Sequence, residues 1–109
     1  MNFKKLAKNL GLEEDEFLEF VELFVEVGTS DLDKLQTAIA EGNAESAANA
    51  AHSLKGAAGN LGLTELYEIA KEIEEKARNE ILDGTIDAVR IIKEKLDLIM
   101  KTLKARHGT

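Results

Sequence analysis

With 109 residues, a formal net charge of −7 and no cysteine, the chain has length for one hydrophobic core and no means of building a disulfide framework or a thiolate metal site. The acidic balance repels a phosphate backbone, which sets nucleic acid aside as a partner. Hydrophobic residues make up 44% and charged residues 32%, with no proline, a balance that predicts one soluble, mostly helical domain over 1–109.

No segment approaches the roughly 20 apolar residues of a membrane span, and the amino terminus MNFKKLAKNLG lacks an apolar run of signal-peptide length. A cytoplasmic protein without membrane contact is expected. Asn2 to Leu10 set Phe3, Leu6 and Leu10 at helical spacing before a stop at Gly11, so a short helix is predicted over 2–10. From Glu13, acidic residues fill the first turn of a second helix whose Phe17, Phe20, Val21 and Phe24 share a face. Gly28 to Ser30 look like a break, and Ser30 with Asp33 has capping-box spacing. Leu32, Leu35 and Ile39 nevertheless keep the phase of Phe17, Val21 and Phe24, which favours one long helix over about 13–41, bent if anywhere at Gly28.

Gly42 and Asn43 combine a helix stop with an N-cap, so the turn into a third helix over 44–60 is very short. In that helix Ala47, Ala51, Leu54, Ala58 and Leu61 make the core stripe. His52 lies about 140° from the stripe's origin, at about 100° per residue, and so points outward. Around it stand Ala48, Gly56 and Gly59, with Asn49 just beyond and Lys55 at the near edge. Two glycines inside a helix cost on the order of 0.8–1 kcal/mol each relative to alanine, an expense that makes sense where a large body must reach the ring.

Gly62 is the next stop and Thr64 the next N-cap, for a helix over about 64–82 with Leu66, Ile69, Ala70, Ile73, Ala77 and Ile81 inward. Glu65, Glu68, Glu72 and Glu75 with Lys71 and Lys76 form its solvated face. After a turn at Asp83 and Gly84, Thr85 caps a last helix over 85–105, whose stripe is Ile86, Val89, Ile92, Leu96, Ile99, Met100 and Leu103. The tail from Arg106 to Thr109 is expected to fray. Short turns between amphipathic helices predict an all-α antiparallel up-down four-helix bundle with the short N-terminal helix packed across one end. No stripe beyond those of the core demands a dimer, so a monomer is expected.

The chemistry turns on His52. A di-iron site needs paired Glu-x-x-His motifs, but Asn49 stands three before His52 and the other histidine is His107 in the tail. Ser53 diverges from His52 by about 100° on the wheel, out of line for a nucleophile and its base. Two readings remain: an ordinary histidine on a solvated face, or a covalent nucleophile. The near absence of Glu and Lys around it favours the second. Neutral imidazole can attack phosphorus, and Lys55, one turn on, can offset the charge of phosphoryl oxygens. Leu18 and Val25 on the long helix are read equally as an apolar rim beside His52 or as core-edge residues.

The segment HSLKGAAGNLG resembles the histidine-containing phosphotransfer (HPt) domain, whose signature is a histidine followed at +3 and +4 by Lys-Gly with a further glycine downstream. His52, Lys55, Gly56 and Gly62 stand at those positions, behind Ala50 and Ala51. The likeness implies a four-helix bundle and a phosphorelay intermediate. His52 is then the phosphorylated residue, Lys55 assists electrostatically, and Gly56 permits close docking. From their places on the wheel around His52, Ala48, Asn49 and Gly59 are expected as further contacts. The implied partners are response-regulator receiver domains and a hybrid histidine kinase. The chain shows no nucleotide loop and no acidic pocket for an ion, so Mg²⁺ comes from the partner and the protein is a carrier rather than an enzyme. Two alternatives share the fold: the phospho-accepting domain of a chemotaxis-type kinase, and an adaptor that binds receivers without accepting phosphate.

Overall fold

The computed structural model describes residues 2–107, and among them the chain is all-helical, with no strand. The helices are α1 (Phe3–Asn9), α2 (Glu14–Ala40), α3 (Ala44–Asn60), α4 (Thr64–Arg78) and α5 (Thr85–His107). Arg106 lies in the last turn of α5 and pairs with Glu14, so the helix outlasts its expected end, while Gly108 and Thr109 lie outside the described residues.

Local chemistry accounts for most boundaries. Asn2 and Asn43 accept from the backbone N–H groups of Lys5 and Ser46, each at 3.0 Å, and so cap α1 and α3. Gly42 takes a left-handed φ of 70° in the turn between α2 and α3, as the short connection requires. α2 runs unbroken through Gly28, and the Ser30–Asp33 capping box is not used. A Cβ at Gly28 would stand 3.3 Å from Leu96 Cδ2 and 3.8 Å from Leu54 Cδ2. The glycine therefore leaves room for side chains of α3 and α5 to pack against α2, inside a continuous helix.

One further boundary and two caps differ from the sequence reading. α4 ends at Arg78, four residues short of expectation, because Glu80 turns left-handed (φ 61°) and the Ile81 N–H bonds back to the Lys76 carbonyl at 2.8 Å. No glycine marks that stop. Leu63, which offers no side-chain cap, stands where Thr64 was expected. Thr85 begins α5, fully buried, its Oγ1 donating to the Leu82 carbonyl.

α2 packs against α1, α3 and α5, and α4 packs against α3 and α5, so the four long helices close a circuit around one core. Phe17, Leu35, Ile73, Ile92, Leu96 and Ile99 are its fully buried large side chains. Asn49 meets Arg78, His52 meets Glu74 and Gly59 faces Tyr67, so α3 and α4 run side by side in opposite sense. α1 sits at one end: Phe3 meets Phe17 with ring centroids 6.0 Å apart, and Leu6 shares a cleft with Leu63, Leu66 and Leu98.

Phe20, Leu10, Ile81 and Ile86, expected in the core, are exposed. Ile81 is outside because α4 has already ended. For Phe20 the cause is length. Asp31 bonds Ser53 across the α2–α3 junction. Phe20 lies eleven residues before Asp31, about 16 Å along the axis, whereas α3 ends seven residues past Ser53, about 10 Å. α3 stops before it can cover the ring. Phe17→Ala should therefore cost about 3–5 kcal/mol in denaturant unfolding, and Phe20→Ala about 1 kcal/mol or less; equal losses would contradict this packing.

Candidate functional site

The first half of α3 is alanine-rich, and its buried face (Ala47, Ala48, Ala51, Leu54) is shallow enough for α2 and α4 to approach on either side. His52 stands on the outer edge toward α4, its side chain 63% exposed. Its Nδ1 lies 2.9 Å from Oε2 of Glu74, a carboxylate whose side chain is only 12% exposed. Lys55 Nζ reaches the other oxygen, Oε1, at 2.7 Å. Arg78 completes the group, one guanidinium nitrogen 3.4 Å from Glu74 Oε2 and another donating to Asn49 Oδ1 at 3.3 Å.

Glu74 is thus the acceptor on which the site converges. Burial acts on it most strongly and pushes its pKa upward, but the hydrogen bonds from Lys55 and His52, with their charges, together outweigh burial and hold the carboxyl below the ordinary glutamate value. Lys55 is held above the ordinary lysine value, chiefly by its hydrogen bond to Glu74, against a smaller opposing effect of desolvation. The stability that Glu74 contributes is complete above the ordinary glutamate range and lost as pH falls through its lowered pKa. That of Lys55 is complete below the ordinary lysine range and lost as pH rises through its raised pKa. The pair is whole across neutral pH.

An ionised carboxylate can only accept, so in the neutral ring the proton is assigned to Nδ1, which donates to Glu74. The lone pair then resides on Nε2, at the far side of an exposed ring. The arrangement presents an oriented nitrogen nucleophile, with an ammonium one turn away that retains N–H donors beyond its bond to Glu74. Among the described residues no cluster of His, Asp or Glu has the form of a metal site. No helix among them is long and apolar enough to cross a membrane.

The other expected site residues divide. Asn49 is exposed and Gly56 is open, with nothing within 4 Å of where its Cβ would stand. Ala48 is fully buried and offers a partner no surface, because α4 covers the flank on which the wheel left it free. Above Gly59 the space is already taken: a Cβ there would stand 3.2 Å from Tyr67 Cδ2, so this glycine has an internal reason to be small. Leu18 and Val25 are half-buried against the core. On the α2 wheel they share the flank of Gln36 and Ile39, which line a cleft with Ile86 and Val89 of α5, away from the Asp31 flank that meets α3.

Sequence reading missed Glu74 and Asp31. Both carried a legible signal, a carboxylate in phase with apolar residues: Glu74 four after Ala70 and three before Ala77, Asp31 beside Leu32 and seven before Ala38. Asp31 is buried and accepts from Ser53 Oγ at 2.5 Å, so Ser53 serves to tie α2 to α3.

The family model described as Hpt domain matches residues 19–105, most of the chain. No curated protein and no solved structure matches it.

In ¹⁵N spectra at neutral pH the neutral form of His52 should carry its proton on Nδ1, and Glu74→Ala should return the ring to the mixed tautomers of free imidazole. Glu74→Gln should melt below wild type at pH 7, with the gap closing as the pH drops through the lowered pKa of Glu74; a gap that widens in acid would contradict the ion pair.

Proposed function

The chain belongs to the Hpt domain family, and on that footing we propose that His52 is the phosphohistidine of a multistep two-component relay. It accepts a phosphoryl group from the aspartyl phosphate of one receiver domain and passes it to the aspartate of another. The observation that carries this reading is the bond from Nδ1 to Glu74, which leaves Nε2 unprotonated on an exposed ring.

The step balances with these residues. The Nε2 lone pair attacks phosphorus in line, the P–O bond to the aspartyl carboxylate breaks, and the carboxylate leaves with the bonding electrons. The imidazole becomes cationic as the N–P bond forms, and its Nδ1–H stays on Glu74, whose negative charge offsets the change. No proton has to move. Lys55, anchored on the same carboxylate, turns its remaining N–H donors toward the phosphoryl oxygens. The reverse sequence hands the group on.

In this reading the domain is an antiparallel four-helix bundle capped by α1, working in the cytoplasm as a monomeric carrier without a catalytic cycle of its own. Mg²⁺ and the acidic residues that bind it belong to the receiver, and a hybrid histidine kinase feeds the relay. Gly56 gives the receiver's active site room to descend on the ring.

Incubation with a receiver domain charged on its aspartate should label the chain with an acid-labile, base-stable phosphoryl group that is absent from His52→Gln. No labelling of the wild type across the receivers of the source organism would refute the reading. Gly56→Ala should gain about 0.5–1 kcal/mol of stability, since its methyl meets open space, while transfer slows; unchanged transfer would remove Gly56 from the docking face.

A further inference from the structure

Away from His52, a cleft of about 360 Å³ opens where α1, the turn between α3 and α4, and α5 meet. Leu6 of α1, Leu63 just before α4, Leu66 in its first turn and Leu98 of α5 form the apolar wall. Leu98 is 51% exposed, so part of that wall faces water. No residue of α3 itself lines the cleft, which begins beyond the end of that helix, eight residues past His52 or about 12 Å along its axis. What fills the cleft leaves the imidazole free.

The polar part of the lining is Lys95 of α5 and Glu65 of α4, which pair with each other. Their exposures differ: the Lys95 side chain is 30% exposed and that of Glu65 79%. Lys95 holds the Glu65 carboxyl below the ordinary glutamate value, chiefly through their hydrogen bond, so the glutamate is ionised at neutral pH. A carboxylate reaching in from solvent gains little by that contact, and another carboxylate can replace it at small cost. Glu65 thus marks the place and the chemistry of a head group. Among the described residues that line the cleft Lys95 is the one cation, which matches a monoanion better than a phosphate dianion. The volume lies at the small end of the range for small-molecule sites, about 300–1,000 Å³.

We propose that this cleft binds an amphiphilic monocarboxylate of the medium-chain fatty acid class, its carboxylate on Lys95 in place of Glu65 and its alkyl chain along Leu6, Leu63, Leu66 and Leu98. The site is separate from His52, and the inference does not depend on the phosphocarrier reading. In the exchange one carboxylate replaces another, so Lys95 stays paired throughout. The driving force is the burial of the alkyl chain against leucine surface that otherwise faces water, and the head group sets the orientation.

The test titrates sodium decanoate, below its micelle concentration, into the full chain at neutral pH. Methyl resonances of Leu6, Leu63, Leu66 and Leu98 should shift together and saturate within the low-millimolar range, while the His52 ring resonances stay in place. Octanoate and hexanoate should bind more weakly, by about three- to fourfold for each methylene removed. Leu98→Asn, at a half-exposed position that leaves the circular dichroism unchanged, should weaken decanoate binding about tenfold or more. Lys95→Gln should weaken it several-fold, whereas Glu65→Gln, which removes the competing carboxylate, should tighten it about twofold or more. The absence of a saturable shift in that range, shifts centred on other residues, or equal affinity for decanol would overturn the proposal. Unchanged binding in Lys95→Gln or weaker binding in Glu65→Gln would overturn the exchange at Lys95, and decyl phosphate binding about tenfold tighter than decanoate would overturn the choice of a monocarboxylate.

Discussion

The Glu74 carboxylate is what the working end of this molecule depends on. It is a buried anion, costly to keep ionised away from water unless it is hydrogen-bonded to cations or polar donors. α3 supplies two of those partners, His52 Nδ1 on one oxygen and Lys55 Nζ on the other, and α4 itself supplies Arg78. Electrostatic need and helix register thus constrain each other. A slip of α3 along α4 would leave the carboxylate without its donors, and with them in place the imidazole has one orientation and one proton position.

Around this contact the helices divide the labour. α2 is the spine: Gly28 admits Leu54 and Leu96 against its backbone, and Asp31 bonds Ser53 to fix α3 from the other side. α3 is therefore held by a part-buried polar contact along each edge, with alanines between. Small side chains on its inner face let the neighbouring helices come close, and the glycine on its outer face leaves the approach to His52 low. The gain is precision at one side chain, at the cost of a thin apolar layer beneath α3. The deeper part of the core lies elsewhere, around Phe17, Leu35, Ile73 and Ile92.

The two glycines that follow His52 show why composition is an incomplete guide to a surface. In sequence they are equivalent signs of a clearing. In space Gly56 faces open solvent and Gly59 lies under the ring of Tyr67, so one has no neighbour and the other serves packing within the chain. Phe20 gives the converse lesson. Its phase is close to that of Phe17 and Phe24, yet α3 is too short to reach it, and an apolar ring that looked like core becomes surface.

The amino-acid sequence alone determined what depends on nearest neighbours along the chain: five helices from their apolar periods, the stops at Gly11, Gly42 and Gly62, the Asn43 cap, and an outward histidine in a His-x-x-Lys-Gly setting. These follow from hydrogen bonding and side-chain phase within a few residues. Only the tertiary structure decided that Glu74 would be the partner of His52, twenty-two positions away, that Ala48 would be covered, and that Leu18 and Val25 would sit on the flank toward α5. Those outcomes depend on which helix lies beside which and at what height. A wheel drawn for one helix holds the angles of its own side chains and no information about the neighbour that will close over them.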